Sequence, residues 1–380
     1  MGSERVVIVG VSTRALVESA GRAGFAPTSV DAFGDMDQKQ QAETVGMRRD
    51  LGRAYGAEAA VTVAQALEAR SAAYVANLEN HPRAVTRLAR GRELLGNSGP
   101  VLARARDLAT LAELVRRVGA QVPTTLGPGE PAPSGRRWLR KPKRGGGGSG
   151  VRDLAAGGRV TASEIAQERI EGELGSLSFV GDGRRAVLLG LAQGLAGDPA
   201  FGARAYRYCG SLYPLVVEDR LLARLDDLAQ TVTRSFALVG LNGLDFVVRD
   251  GTAFVLELNP RYSASMELME RSGAFSAFAV HAAGCRGRLP PVPFPGVSLE
   301  RGVFGKALLW ARRDIVLADT RPWLAQDDVR DIPFPGEKIR RGHPVCTVFA
   351  QGGDAASCRR RLVERAAALE LQLESDQARA

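Results

Sequence analysis

The stretch Phe254–Arg261, FVLELNPR, starts as a buried strand and ends as something else. Phe254, Val255, Leu256 and Leu258 are apolar, yet Glu257 sits inside the run and Asn259-Pro260-Arg261 closes it. A carboxylate in such a place is costly to desolvate unless something compensates it. Residues two apart on a strand share a face, so Glu257 and Asn259 point the same way. Pro260 cannot donate to a ladder and ends the strand, which releases Arg261 near the same edge. Upstream, LNGLDFVVRD (Leu241–Asp250) reads as a partner strand joined through RDGT, a hairpin signal that brings Asp245 to Glu257 and Asn259. Asp, Glu and Asn are hard oxygen ligands. One or two carboxylates with an amide, completed by phosphate oxygens and water, make a magnesium arrangement. Arg261 is then placed to meet phosphate charge. The competing reading of the same residues is a structural Glu257–Arg261 pair with Asp245 in solvent.

A second constellation is LRKPKRGGGGSG (Leu139–Gly150), in which an apolar strand delivers Lys141 and a glycine-rich turn follows. Glycines let backbone N–H groups wrap a phosphate. No Lys-Ser/Thr follows them, and they do not open a βαβ unit, so neither a Walker A loop nor a dinucleotide fingerprint fits. A flexible linker is the plain alternative, but it gives no reason for Lys141 at a strand end; a mobile hairpin lid over nucleotide phosphates explains both. The third, AQERIEG (Ala166–Gly172), offers a short extended backbone with Glu168 beside it, suited to an adenine edge or simply a solvated strand end.

Around these motifs the 380-residue chain alternates strand and helix signals. RVVIVG, then STRALVESAGRAGF with Leu16, Ala20 and Ala23 on one face and Gly24 to end it, then TSVDAFGDMD, then AAYVANLENHP argue for a parallel doubly wound sheet. GNSGP (Gly96–Pro100) and the Pro-rich LPPVPFPG (Leu289–Gly296) read as boundaries. GDG within GSLSFVGDGRRAVLLGL is another hairpin signal, and a helix is expected over Asp219–Leu238. Hydrophobic residues at 45% and charged ones at 24% are those of a globular protein. The net charge of +9 comes from arginines interleaved with Ala, Leu, Asp and Glu, without a nucleic-acid signature, and reads as solvated faces rather than a nucleic-acid surface. Four scattered cysteines without metal spacing point to reduced thiols in a cytoplasmic protein. The opening MGSERVVIVG is too short in apolar residues for a signal peptide, and no apolar run reaches membrane-spanning length. His81, His281 and His343 lie far apart, and neither GxSxG nor HExxH occurs, which removes the common triad and zinc hydrolases.

A lysine-ending strand with a glycine hairpin, then QERIEG, then Asp245, then ELNPR, in that order, resembles the ATP-grasp superfamily over nearly the whole chain. The resemblance implies an α/β (overall α+β) architecture. Residues 1–100 would be a Rossmann-like pre-ATP-grasp domain and 101–288 the ATP-grasp domain, with a lid at about 136–170. Residues 289–380 would be a small β-rich domain with a terminal helix. It also implies roles. Lys141 contacts ATP phosphate under a loop of Gly145, Gly146, Gly147, Gly148, Ser149 and Gly150. Glu168 with the backbone of Arg169 and Ile170 forms the adenine hinge. Asp245, Glu257 and Asn259 hold Mg²⁺, with Mn²⁺ a substitute, and Arg261 steadies the transferred phosphoryl. Two departures stand out. No early lysine occurs near Leu108, where Arg104 or Arg106 would have to serve, and Ser176 stands where many relatives carry a ribose-binding carboxylate.

GVSTRALVESA, DAFGDMD, LLGN, LNGLDFVV and IPFPGEKIRRGHPVCTVFAQG are more narrowly similar to a carboligase-like ATP-grasp group that includes the tyramine–glutamate ligase of methanofuran biosynthesis. The implied activity is a carboxylate–amine ligase working through an acyl phosphate on small molecules, with glutamate as the acid. A homo-oligomer is compatible with it; a membrane or nucleic-acid partner is not expected. Arg14 beyond the first strand suits a substrate carboxylate, and Asp31, Asp35, Asp37 and Glu79 beyond the others suit an amine, each competing with an ordinary helix-start charge pattern. The alternatives are a biotin-carboxylase-like enzyme that activates bicarbonate and a nucleotide-binding regulator without turnover.

Overall fold

The computed structural model describes residues 3–273, 275–292 and 301–379. RVVIV forms strand β1 (Arg5–Val9), with Val6 to Val9 fully buried. A strand covered on both faces belongs inside a parallel sheet, and β1 is the middle of five. After it come α1 (Arg14–Arg22), β2 (Ala26–Asp31), α2 (Met36–Gln41), β3 (Glu43–Gly46), α3 (Ala57–Gln65), β4 (Ser71–Tyr74), α4 (Pro82–Leu88) and β5 (Glu93–Leu95). The order β3-β2-β1-β4-β5 is parallel throughout. It reverses between β1 and β4, and the crevice beyond the carboxyl ends of two such strands is where open α/β sheets bind ligands. A 3₁₀ turn, Leu78–Asn80, follows β4 at that crevice.

Helices α5 (Gly99–Ala105) and α6 (Leu108–Arg117) lead to a small antiparallel sheet. Asp107 caps α6, accepting the Thr110 N–H at 2.8 Å. The small sheet comprises β6 (Thr125–Leu126), β7 (Trp138–Pro142), β8 (Arg152–Leu154) and β9 (Glu164–Glu168), in the order β6-β9-β7-β8. Its own small core is Trp138, Val160, Ala132 and Ala166. The chain then runs through β10 (Glu173–Asp182), β11 (Ala186–Ala196), β12 (Tyr208–Tyr213), α7 (Asp219–Phe236), β13 (Val239–Arg249) and β14 (Thr252–Asn259). It continues with α8 (Met266–Arg271), α9 (Ala277–Cys285), β15 (Val303–Trp310), β16 (Ile315–Val316), β17 (Val329–Arg330), β18 (Lys338–Ile339), β19 (Pro344–Gly352) and α10 (Ala355–Arg379). The large sheet has the order β14-β13-β10-β11-β12-β15-β19-β17, and β16 pairs with β18 apart from it. The late strands therefore continue the central sheet, with Gly210 of β12 opposite Ala307 of β15. In the RDGT hairpin both central residues have positive φ, Asp250 at 50° and Gly251 at 67°, as a tight two-residue turn requires. Of the Pro-rich passage Leu289–Gly296, positions 293–296 lie outside the described residues. Among the described residues no helix is long and apolar enough to cross a membrane.

The break GNSGP is a joint. Buried Asn97 donates to Asn242 Oδ1 (2.9 Å) and Pro260 O (3.0 Å), and its Oδ1 accepts the Val239 N–H (2.9 Å). Nearby, Phe25 of the first unit meets Phe278 of α9 edge to face, centroids 4.8 Å apart. His281 on α9 completes the joint. Its Nδ1 accepts the Leu241 N–H (2.9 Å), so Nε2 carries the proton towards Leu95 O (3.1 Å). Burial pushes this imidazole down to about 4 from an ordinary 6.5. Between those values the unfolded chain binds a proton that the folded chain refuses, so stability is full above pH 6.5 and falls towards pH 4, by roughly 3 kcal/mol from this group. In urea titrations across that range, the stability advantage of the wild type over His281→Gln should shrink as pH falls; a constant difference would refute this account.

Candidate functional site

Pairing of β13 with β14 sets Asp245 opposite Glu257 and Gly243 opposite Asn259. Strict alternation would also put Ala253 and Val255 on the face of Glu257. Both instead lie in the core under the sheet together with Leu258. A β-bulge reconciles these facts. Where β13 advances from Asp245 to Phe246, β14 steps from Glu257 to Val255 and leaves Leu256 unmatched. The extra residue turns Glu257 and Asn259 away from the core.

Like charges directly opposite on antiparallel strands repel. Burial, and then Glu257, push the Asp245 carboxyl up to about 7, against Arg261, Ser176 and Asn259. Asn259 Nδ2 donates to Asp245 Oδ2 at 2.9 Å. Ser176 stands beside Asp245 on β10, so it serves the carboxylate pair. Glu257 receives Arg106, whose guanidinium also reaches Leu258 O (3.3 and 3.0 Å). Arg104 is engaged elsewhere, on Phe236 O at the end of α7 (2.9 Å). Of these two arginines, Arg106 is the one that reaches the carboxylates. The donor set fits a hard divalent cation: oxygen ligands only, with two facing carboxylates in need of positive charge. Among the described residues no group of three His, Cys, Asp or Glu side chains could hold a metal, so a cation bound here would need phosphate or water oxygens to complete its shell. Asn259 Oδ1 accepts from Arg261 (3.2 Å), and its amide must turn over to join the two carboxylates.

Lys141, at the end of β7, places Nζ 2.5 Å from Gln167 Oε1. Burial lowers its pKa while Glu257 and Asp245 raise it, so it lies within electrostatic reach of both carboxylates. The glycine run beyond it is docked. The Tyr208 N–H donates to Gly147 O (2.9 Å). Asn80 Nδ2 reaches Arg144 O and Gly145 O at 3.5 and 3.4 Å. Gly148 has φ +70°, and a Cβ there would lie 1.8 Å from Tyr206 O. Gly145, Gly146, Gly147, Gly148, Ser149 and Gly150 thus bridge the first unit and β12.

Arg261 points into the first unit. Its Nε donates to Glu79 Oε1 (2.9 Å), and its other nitrogens reach Tyr262 O (2.9 Å) and Asn259. The contact between Glu257 and Arg261 that the competing reading required is replaced by Glu257–Arg106 and Arg261–Glu79. Neither arginine carried a local signal for its partner. At the end of β9, Glu168 accepts from Arg136 (3.0 Å) and the Thr124 N–H (3.4 Å). The Arg169 N–H is taken by Arg137 O (2.8 Å), and the Ile170 backbone makes no hydrogen bond among the described residues.

Two expected substrate residues are engaged by the chain itself. Arg14 is buried against its own chain, with Nε 2.9 Å from Asp331 Oδ1, NH2 3.3 Å from Oδ2, and NH1 on Glu267. Asp37 accepts the N–H groups of Asp331 and Ile332, both at 2.9 Å. The segment after β17 folds back over α1 and α2 and occupies both side chains, a contact no local pattern foretells. Lys306 joins the knot on Glu267 Oε2 (2.9 Å). Asp35 differs: its side chain is buried without a hydrogen-bond partner among the described residues, and burial, followed by Asp331, Asp31 and Asp37, pushes its carboxyl well up.

A match to a known domain family covers residues 105–265, from the end of α5 past β14. That family is the ATP-grasp domain. The ATP-grasp fold extends over nearly the whole chain. The biotin carboxylase domain of Hydrogenobacter thermophilus 2-oxoglutarate carboxylase, in complex with MgADP, ADP and bicarbonate, superposes with a TM-score of 0.71 at 13% identity, covering 95% of this chain and 89% of that one. N5-carboxyaminoimidazole ribonucleotide synthetase of Thermus thermophilus superposes with a TM-score of 0.62 at 17% identity, covering 97% and 98%. An uncharacterized protein of Methanocaldococcus jannaschii is 25% identical over 192 residues, 49% of this chain. The match spans 42% of that relative's length.

The docked loop makes a direct prediction. Gly148→Ala should undock it, because the positive φ and the Tyr206 carbonyl both exclude a side chain. Tryptic cleavage after Lys143 and Arg144 should accelerate several-fold, with the global unfolding midpoint nearly unchanged. An unaltered cleavage rate would mean that another contact holds the loop.

Proposed function

We propose that this chain is an ATP-dependent carboxylate–amine ligase. The observation that carries the reading is the facing Asp245–Glu257 pair with Asn259, with Arg106, Lys141 and Arg261 around it, and a glycine loop following Lys141 that is docked on Tyr208 and Asn80. Such a site neutralises polyphosphate charge and excludes water, and it has no need of a protein nucleophile. Magnesium, held by Asp245, Glu257 and Asn259, would neutralise phosphate oxygens during transfer. Lys141 and Arg106 balance the remaining phosphate charge. The Ile170 backbone offers its unpaired groups to the adenine edge beside Glu168. Arg261, held by Glu79, orients the carboxylate whose oxygen attacks the γ-phosphorus in line, giving an acyl phosphate and ADP. An amine then displaces phosphate to form the amide. The glycine loop keeps water from the acyl phosphate meanwhile.

The finer reading, glutamate joined to an amine in methanofuran-type cofactor biosynthesis, rests on the narrower sequence resemblance. The nucleotide assignment is supported by the MgADP named for the Hydrogenobacter domain of the same fold.

A panel of acids with ATP, Mg²⁺ and hydroxylamine tests the reading, because an acyl phosphate is trapped as a hydroxamate. One acid should give hydroxamate with stoichiometric ADP. Glu257→Gln and Asp245→Asn should each lower that rate about a hundredfold or more. Undiminished activity in either variant would refute the cation site. ADP release driven by bicarbonate alone would identify a carboxylase instead, and nucleotide binding without turnover on any acid would identify a regulator.

A further inference from the structure

Around the turn after β4, three buried polar atoms hydrogen-bond to nothing among the described residues. They are Glu79 Oε2, Asn77 Oδ1 and the Tyr55 hydroxyl. Glu79 is 2% exposed, and only its Oε1 is used, by Arg261. A buried polar atom without a partner is costly, and each one in a folded protein calls for an explanation. Asn77 opens the 3₁₀ turn that contains Glu79. Tyr55 lies within electrostatic reach of both Glu79 and Asp31, and burial with these charges keeps it a neutral phenol. The turn stands beyond β4, at the point where the strand order reverses.

We propose that these atoms form a subsite for a primary ammonium group and that Glu79 takes the proton from the attacking amine. All three atoms can accept hydrogen bonds, and an alkylammonium brings three N–H donors and no acceptor. The surroundings select a cation. Asp31 is buried and Asp35 is buried without a side-chain partner among the described residues, while Arg14, at the start of α1 beyond β1, is saturated by Asp331 and Glu267. The place is right for chemistry as well, because the other oxygen of Glu79 grips Arg261 at the edge of the Asp245–Glu257 site. Binding of the ammonium stands on these observations alone; its use as a nucleophile rests on the ligase reading. In that step the ammonium gives one proton to the Glu79 carboxylate. The freed nitrogen lone pair attacks the acyl carbon, and the bond from that carbon to the phosphate oxygen breaks. The phosphate leaves with the electron pair and takes the second N–H proton.

The test uses the full chain and thermal melting in n-propylammonium chloride, against tetramethylammonium chloride and sodium chloride at equal ionic strength. Propylammonium should raise the midpoint saturably, and tetramethylammonium should do no more than sodium. Tyr55→Phe and Glu79→Gln should each weaken the propylammonium effect about tenfold or more. The Glu79→Gln change keeps a carbonyl acceptor for Arg261, and Tyr55→Phe leaves that pair untouched. A wild-type response no larger than with tetramethylammonium, or equal affinity in both variants, overturns the subsite. MgADP is titrated in the same samples. A persistent MgADP shift without a propylammonium shift defeats the subsite and leaves the ligase reading intact, whereas no MgADP shift defeats the ligase reading by itself. With the acid identified by hydroxamate trapping, Glu79→Gln should slow amide formation with propylamine more than hydroxamate formation, since hydroxylamine arrives largely uncharged. An equal loss in both would reduce Glu79 to a positioning residue for Arg261.

Discussion

Two carboxylates held face to face on adjacent strands constrain everything around them. Asp245 and Glu257 repel across the β13–β14 pair, and burial makes the repulsion dearer. The fold meets this with cations from three directions. Arg106 comes from the turn after α5, Lys141 from β7 of the small sheet, and Arg261 from the strand end just beyond Pro260. Among the described residues none of the three makes a direct ion pair with Asp245, whose contacts are Asn259 and Ser176. The negative charge of the pair is thus only partly balanced by the chain's own cations.

The first unit is part of this arrangement. Glu79 holds Arg261, Asn80 touches the root of the glycine loop, and Asn97 stitches the unit to the strands carrying the site. A single short turn after β4 therefore contacts both the arginine and the glycine loop. The Arg14–Asp331–Glu267–Lys306 knot ties the late strands to the same body. Buried ion networks add little net stability, since desolvation consumes most of the Coulombic gain, but a broken one is expensive. Such a knot favours one relative placement of the first unit and the late strands over others.

Much of this was legible in local pattern. The hairpin turn at Asp250-Gly251, the strand end at Pro260, the lysine before the glycines and strands β1, β2 and β4 all follow from period, turn chemistry and proline geometry. These are properties of neighbours in sequence, and the turn brings the two strands together with Arg249 opposite Thr252; on that register Asp245 would face Leu256, and it is the bulge that sets Glu257 opposite Asp245. Strands β3 and β5, ETVG and ELL, left no such mark, because short segments become strands only when a neighbouring strand offers its ladder.

Partner choice was another matter. Composition and spacing identified Asp, Glu and Asn on one hairpin and an arginine beside them, which is chemistry carried by residues a few positions apart. Which arginine meets which carboxylate was settled by packing. Glu257 takes Arg106 from 151 positions upstream, Arg261 takes Glu79 from 182 positions away, and Arg14 is lost to Asp331 across 317. The bulge at Leu256 belongs with these, for it arises from the need to keep Val255 and Leu258 in one core while Glu257 faces the cleft. Ion pairs and bulges answer to distances in the folded chain, and those distances exist only once the sheets have closed on one another.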